Sequence, residues 1–396
     1  MSLEQSWRWF GPHDPVSLKE IQQTGAEGIV TALHHLPVGE VWPVEEIQKR
    51  KSMIEAEGLR WSVVESLPVH EDIKKRRGSY TRLLENYKTS LRNLAHCGID
   101  IVCYNFMPVL DWSRTDLEFV FRDGSVTTRF EPSAFAAFDL FVLKRKGAEN
   151  EYTAGIIAQA RERFGRLDEN GKERLIRTVL FGLPGSGERY TLDELRHALA
   201  GYEGIGEAEL RDHLRQFLRA VVPAAEEAGV SMAIHPDDPP WSLLGLPRVV
   251  KSVHDIEQIL DAVDSNANGL TLCTGSFGAS SKNDLVAIAQ QFARRINFIH
   301  LRNVRRTEDG NFYEENHFEG DIDLFLVMKT LLLEQQRRVR EGRRDSRMPM
   351  RPDHGHLMIP DQGRADFYPG YSLFGRMRAL AELRGLELGI RRSLEL

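Results

Sequence analysis

Short apolar runs alternate along the chain with longer stretches in which apolar residues recur at helical spacing. The short runs mark buried strands and the longer stretches mark amphipathic helices. Their alternation predicts a parallel sheet whose strands are joined by crossover helices. Eight runs have strand character: residues 7–10, 28–33, 60–65, 100–106, 230–235, 270–274, 297–302 and 348–352. A helical pattern follows each, as in VEEIQKRKSMIEAEG after the second run, YTRLLENYKTSLRNLAHCG after the third and LVAIAQQFARR after the sixth. Gly25, Gly58, Gly98, Gly229 and Gly269 each stand just ahead of a strand, where a left-handed helix cap is expected. Eight strand–helix units on one chain predict an α/β protein, a closed (β/α)8 TIM barrel rather than an open sheet.

One connection breaks the rhythm. The fourth run ends near Met107, and the next helical pattern begins only near Glu207. Residues 108–206 far exceed an ordinary connection of about 6 residues. They hold charged helical segments (YTAGIIAQARERFGRLDENGKERLIRTVL) and a glycine-rich piece, GLPGSGERY. The expected organisation is a single barrel domain, 1–396, with a largely helical subdomain inserted at 108–206. That subdomain leaves from the C-terminal rim, the functional face of such barrels, where it would serve as a cap over the site or as an assembly surface. GLPGSG lacks the Lys-Ser/Thr ending of a phosphate loop and follows no strand directly, so nucleotide binding is not expected there.

The 396 residues, 41% of them hydrophobic, suffice for one large domain or two smaller ones. A formal net charge of -6 argues against a dedicated nucleic-acid binder. The basic clusters IKKRRG and RRVREGRR read as solvated helix faces or ends. The cysteines, Cys97, Cys103 and Cys273, are too few and too scattered for a disulfide framework, which points to a reducing compartment. The N-terminus has no apolar leader, and no stretch approaches the ~18 apolar residues of a membrane span. A soluble cytoplasmic protein is expected, with no membrane or nucleic-acid partner, assembled as a homo-oligomer.

The later strand ends carry the chemistry. The fifth run stops at His235, the sixth presents Cys273, the seventh presents His300, and the eighth presents Asp353 followed by His354. In a barrel those ends converge on one small space. Singly, each residue has a plainer reading: a hydrogen-bonded core histidine, a small buried thiol, an aspartate paired with Arg351 or Arg302. Together, four consecutive strand ends with metal-competent side chains predict a metal site. Two imidazoles and a thiolate suit zinc, while two histidines with a carboxylate also suit Fe(II) or Mn(II).

The strings WRWFG, PVGEVWP, VVESLPVHEDIK, ENYKTSLRNL, CYNFMPVLDWSRTDL, AIHPDDPPWSLLGLPR, LCTGSFG, FIHLRNV, RPDHGH and PGYSLFGR resemble mannonate dehydratase, the hexuronate-pathway lyase. The resemblance runs from Trp7 to about Glu387 and is weakest in the insertion and between Glu308 and Glu319. It implies a xylose-isomerase-like barrel and a divalent metal, usually manganese or iron. It also implies dehydration of D-mannonate, a small sugar acid, to 2-keto-3-deoxy-D-gluconate. The family's ligands match His235, Cys273, His300 and Asp353, and a family tyrosine assigned to acid–base work matches Tyr371. Many relatives carry arginine where this chain has His356, but the longer branch of the family, which the insertion resembles, shows histidine there.

Further candidates come from position. His354 adjoins Asp353 and is a second acid–base group. Arg302 follows His300 by two residues, so on a strand it shares that face. It is expected either to bind the substrate carboxylate or to pair with an acid inside the barrel. Asn105 ends the fourth strand, and Arg8 and His34 lie near the ends of the first two; all are substrate-contact candidates. His317 and Glu319, after the seventh strand, are candidate lid residues, and His317 is a candidate for substrate binding. Two rival functions share these features: a metal-dependent sugar isomerase or epimerase on the same barrel, and a non-enzymatic sugar-acid sensor with a structural metal. Isomerases of that type surround their metal with Glu and Asp, whereas here Glu65 is the main early acidic strand end and a cysteine stands at a ligand position.

Overall fold

The structure, a computed structural model, describes residues 2–182, 190–307, 310–364 and 367–395. Its strands are β1 (Glu4–Arg8), β2 (Gly28–Thr31), β3 (Arg60–Glu65), β4 (Ile101–Tyr104), β5 (Asp116–Val120), β6 (Val126–Phe130), β7 (Ser231–Ile234), β8 (Asn268–Cys273), β9 (Ile296–His300), β10 (Asn303–Arg306), β11 (Phe312–Glu315) and β12 (Pro349–Arg351). Strands β1, β2, β3, β4, β7, β8, β9 and β12 close in that order into a parallel eight-stranded barrel, with β12 pairing back onto β1. Each of the eight sequence runs overlaps one barrel strand. The largest displacement is at the first, which begins at Glu4 rather than residue 7. Glu4 and Gln5 hide from an apolar count, yet both find partners: Glu4 pairs with Arg347, and Gln5 Nε2 donates to Glu387 at 3.0 Å.

Val30, Val63, Ile101, Cys103, Ala233 and Phe298 fill the inside of the barrel. The opposite strand faces pack against the surrounding helices in a second, much larger cluster. Gly25, Gly58, Gly98 and Gly229 have the positive φ expected of helix caps. Gly269 differs. It lies within β8, where a Cβ would stand 2.1 Å from Asn297 Nδ2, so close approach of the neighbouring strand explains the glycine.

The helix after the long connection, Glu207–Ala228, starts where the sequence pattern resumes and returns the chain to β7. Between β4 and that helix lie helices Pro132–Ala137, Ala154–Arg166, Glu169–Val179 and Leu192–Ala200, and also β5 and β6, which the helical expectation did not contain. These two strands join β10 and β11 in an antiparallel sheet of order β10-β11-β6-β5. Phe130 of β6 stacks on Phe312 of β11 with ring centroids 5.6 Å apart, and Trp241 packs edge-on against both. The sheet therefore ties the connection after β4 to the hairpin after β9, directly above the barrel's C-terminal rim. Residues 183–189, most of the glycine-rich piece considered for phosphate binding, lie outside the described residues. Among the described residues, no helix is long and apolar enough to cross a membrane.

Candidate metal centre and active site

Barrel strands β7, β8, β9 and β12 are neighbours, so their C-terminal ends form one continuous arc. Register sharpens the convergence: Cys273 and His300 are paired across β8 and β9, and Arg351 and His300 across β12 and β9. Ligand atoms of His235, Cys273 and His300 lie within 4.8 Å of one another, close to the span of two ligand bonds of about 2.0–2.3 Å each. His235 Nδ1 donates to the Pro236 carbonyl at 2.7 Å, which leaves Nε2 with its lone pair outward. Ser276 Oγ lies 3.0 Å from Cys273 Sγ, within hydrogen-bonding distance of the sulfur. His300 is wholly buried, and neither of its ring nitrogens has a hydrogen-bond partner. Its nearest partners are carboxylate oxygens beyond hydrogen-bond reach, Glu65 Oε1 at 3.6 Å from Nε2 and Asp353 Oδ1 at 3.8 Å from Nδ1, so the buried ring lacks a close partner for its lone pair, which is costly. These donors fit a divalent cation.

Asp353 borders this cluster without joining it as closely. Its Oδ2 is 3.4 Å from Cys273 Sγ and its Oδ1 is 3.8 Å from His300 Nδ1. Its two oxygens are also drawn outward, to Arg302 Nε at 2.7 Å and to Arg351 Nη1. Burial alone would raise the Asp353 pKa. The Arg351 guanidinium, with lesser help from His354, His300 and Arg302, outweighs it and holds the carboxyl well below the usual range.

Around the ligands lies a fully buried ion network. Arg302 engages Asp353, Asp238 and Glu314 with its three nitrogens. Arg114, from the segment after β4, bridges Asp238 at 2.7 Å and Glu314 at 2.9 Å. Arg351 grips Glu65 through two hydrogen bonds of 3.0 and 2.8 Å, with Arg8 Nη1 3.7 Å away. Burial pushes the Glu65, Asp238 and Glu314 carboxyls up, but the neighbouring arginines win, so all three stay ionised. Four guanidiniums thus face four carboxylates.

Of the two expectations for Arg302, these contacts describe the second, an arginine paired with acids. Substituting Arg302→Leu is therefore expected to act first on folding. It would leave Asp238, Glu314 and Asp353 short of a counter-charge at a cost of about 3–5 kcal/mol. Denaturant melts would register this as a clear fall in midpoint. A stable Arg302→Leu protein with only a raised KM would instead make Arg302 a substrate contact.

A deep pocket opens beside the ligands, bordered by Glu65, Asn105, Trp112, His235, Asp353, His354 and Tyr371. It shares Ser66, Asn105, Met107 and Asp111 with a wider outer chamber, on whose wall Arg8, His34 and Lys74 stand. The structure thus gathers Asn105, His235, Asp353, His354 and Tyr371 around one pocket and puts Arg8 and His34 on its approach. Tyr371 is buried, its ring edge-on to His354 at 5.1 Å and to Phe10 at 4.9 Å. Burial pushes the Tyr371 phenol up, with Arg351 opposing, so in the protein alone it keeps its proton.

His317 is not on this pocket. It lines a separate cleft with Arg302, Glu314 and His356, where burial pushes its pKa down to about 4. Glu319 is farther out, paired with Arg122 at the surface. His356 bridges Ser125 Oγ at 3.0 Å and the Glu314 carbonyl at 3.1 Å, which joins the inserted segment to β11. Sequence reasoning passed over Asp238, Arg114, Glu314 and Trp112. Asp238 had a signal, three residues past His235 in PDDPP. Glu314 had none, because β11 reaches the site only through the second sheet.

The fold class is that of the xylose-isomerase-like barrels. A xylose isomerase domain protein from Alicyclobacillus acidocaldarius subsp. acidocaldarius matches with a TM-score of 0.51 over 98% of this chain and 100% of that one, at 13% identity, a likeness of fold alone. Within that class the match narrows sharply. The family model described as D-mannonate dehydratase (UxuA) matches residues 3–395. Mannonate dehydratase from Marinomonas sp. (strain MWYL1) is 54% identical over 99% of this chain and 100% of its own length. Mannonate dehydratase from Chromohalobacter salexigens is 55% identical over 98% of this chain and 99% of its own. The crystal structure of mannonate dehydratase from Streptococcus suis serotype 2 aligns with a TM-score of 0.75 at 35% identity, over 100% of this chain and 95% of that one. The chain belongs to the D-mannonate dehydratase family, which is named for a hydro-lyase reaction and implies a divalent metal.

Proposed function

We propose that this protein dehydrates D-mannonate to 2-keto-3-deoxy-D-gluconate, as a cytoplasmic, metal-dependent hydro-lyase of hexuronate catabolism. The observation that carries this reading is the pocket lined by His235, Asp353, His354 and Tyr371, with Cys273 and His300 clustered against His235. His235, Cys273 and His300 would hold the ion, with Asp353 as fourth ligand. Mn²⁺ or Fe²⁺ is the resident metal in this reading; the thiolate and imidazoles also accept Zn²⁺.

Eliminating water from a 2,3-dihydroxy acid needs a base at the C2 proton and an acid at the C3 hydroxyl. A divalent ion held there supplies positive charge where enediolate-like charge develops. Tyr371 and His354 lie edge to face on the pocket wall and form the proton-transferring pair, one taking the C2 proton and the other giving one to the departing hydroxyl. The enol then tautomerises to the ketone with no net redox change. Asn105, on the wall of both chambers, meets sugar hydroxyls, and His34 lies on the approach. Arg8 Nη1 is buried without a hydrogen-bond partner and suits the substrate carboxylate.

The inserted segment acts as a cap in this reading, because Val109, Leu110, Asp111, Leu180, Gly182 and Tyr190 contribute to the outer chamber's wall. A covered chamber keeps bulk water from the reacting carbons. Replacing residues 154–200 with a short Gly/Ser linker is expected to lower turnover while the barrel still binds metal, as read by steady-state kinetics and metal analysis. Unchanged turnover would make those helices an assembly surface. The function itself is tested by product. The metal-loaded protein incubated with D-mannonate should yield a 2-keto-3-deoxy acid. A ketose or epimer would indicate a sugar isomerase, and no product a sensor.

A further inference from the structure

Arg114 stands just ahead of β5, in the segment inserted after β4, and its side chain is fully buried. Its Nη1 donates to Asp238 Oδ1 at 2.7 Å and to the Ser113 carbonyl at 2.8 Å. Its Nη2 donates to Glu314 Oε1 at 2.9 Å and reaches Asp238 Oδ2 at 3.3 Å. The guanidinium carbon lies 4.7 Å from the ring centre of Trp112 and 4.9 Å from that of Phe312, one ring from the insertion and one from β11. A planar fork held between two rings and shared by two carboxylates is a geometry that arginine provides and lysine does not.

Two chains of contact lead from this residue to the metal cluster. Through Asp238, whose Oδ2 accepts from Ser276 Oγ at 3.0 Å, it reaches the hydroxyl that hydrogen-bonds Cys273 Sγ. Through Glu314 it reaches Arg302, whose Nε holds Asp353 Oδ2 at 2.7 Å. If Arg114 were absent, Arg302 would be the one guanidinium left between Asp238 and Glu314, with His354 Nδ1 3.3 Å from Glu314 as the remaining help. It would be drawn toward them and away from Asp353, and Asp238 would lose the partner on its Oδ1.

Resting on the metal-site reading above, we propose that Arg114 is a positioning residue of the metal centre, so that the root of the insertion sets the orientation of Cys273 and Asp353. The insertion then has two parts with different work. The outer helices roof the chamber. The stretch from Trp112 to Thr115 is buried at the barrel mouth and completes the shell behind the ligands.

The test is Mn²⁺ affinity, measured on the metal-free full chain by competition with a chelator, well below the unfolding temperature. Arg114→Met is expected to weaken Mn²⁺ binding by roughly 10- to 100-fold, the usual effect of losing a residue that orients ligands. Arg114→Lys should recover part of that loss, and excess Mn²⁺ should restore much of kcat in both. Ser276→Ala, which removes one hydroxyl from the first chain of contact, should weaken Mn²⁺ binding by a smaller factor. Arg114→Met with parental Mn²⁺ affinity would overturn the proposal, whatever its melting temperature. If Arg114→Met does not fold, Ser276→Ala decides, and unchanged affinity there overturns it equally. His300→Ala serves as the control: unchanged affinity in that variant would sink the metal-site reading itself rather than the role of Arg114.

Discussion

Replacing His300 with alanine is expected to abolish tight metal binding and dehydration together. His300 is register-paired with both Cys273 and Arg351, so its ring stands at the centre of the arc of strand ends. Both ring nitrogens are buried without hydrogen bonds, and the ring packs edge-on against Phe298 with centroids 4.6 Å apart. Alanine removes one of three clustered donors. What remains is His235 and Cys273, with Asp353 at their edge and drawn off by Arg302 and Arg351, a set too weak to hold an ion against water and chelators. If a cation supplies several kcal/mol of transition-state stabilisation, its loss lowers turnover by roughly 10³-fold or more. The barrel should still fold, because the lost ring was itself unsatisfied in the metal-free chain. Metal analysis of the purified variant beside its kinetics checks this. Full metal occupancy with normal turnover would show that the ion sits elsewhere.

Changing Tyr371 to phenylalanine is expected to separate chemistry from binding. The ring packs against Phe10 and His354, and phenylalanine keeps those contacts. Only the hydroxyl goes, so folding and metal content should be nearly unchanged. If that hydroxyl carries a proton in the reaction, kcat falls by roughly 10²- to 10⁴-fold. KM changes much less, since the lost interaction belongs mainly to the transition state. A phenylalanine variant with parental kcat would remove Tyr371 from the chemistry and leave the role to His354. An unfolded variant would mark Tyr371 as a packing residue of the turn before the final helix, Leu373–Ser393.

The barrel was legible in the sequence because most of its strands are buried on both faces and centre on short, mainly apolar runs such as GIVT, IVCY and SMAI. The strand ends were legible for the same reason. A histidine or cysteine stops three adjacent runs at the barrel's C-terminal mouth, and Asp353 follows the fourth. The second sheet left no such trace. Strands β10 and β11 read NVRR and FYEE, charged and short, with no apolar run to mark them. The pairing of Phe130 with Phe312 joins segments far apart in sequence, which no local periodicity signals. The ion network was lost with it. Both readings of Arg302 stayed open in the sequence because two of its partners, Glu314 and Asp238, reach it only through that sheet and the bend after His235. Arg8, by contrast, ended a strand beside an aromatic run, and its Nη1 makes no hydrogen bond, with Glu65 its ion-pair neighbour at 3.7 Å.

Dehydration by this protein is expected to depend on one divalent ion held by His235, Cys273 and His300 with Asp353. Titrating Mn²⁺ into the chelated protein, while following both ion bound and 2-keto-3-deoxy acid formed from D-mannonate, puts this to the test. No product is expected at the start, then activity that rises in proportion to bound Mn²⁺ and levels off at one ion per chain. Full turnover in the chelated protein, or saturated binding with no 2-keto-3-deoxy acid, would contradict it.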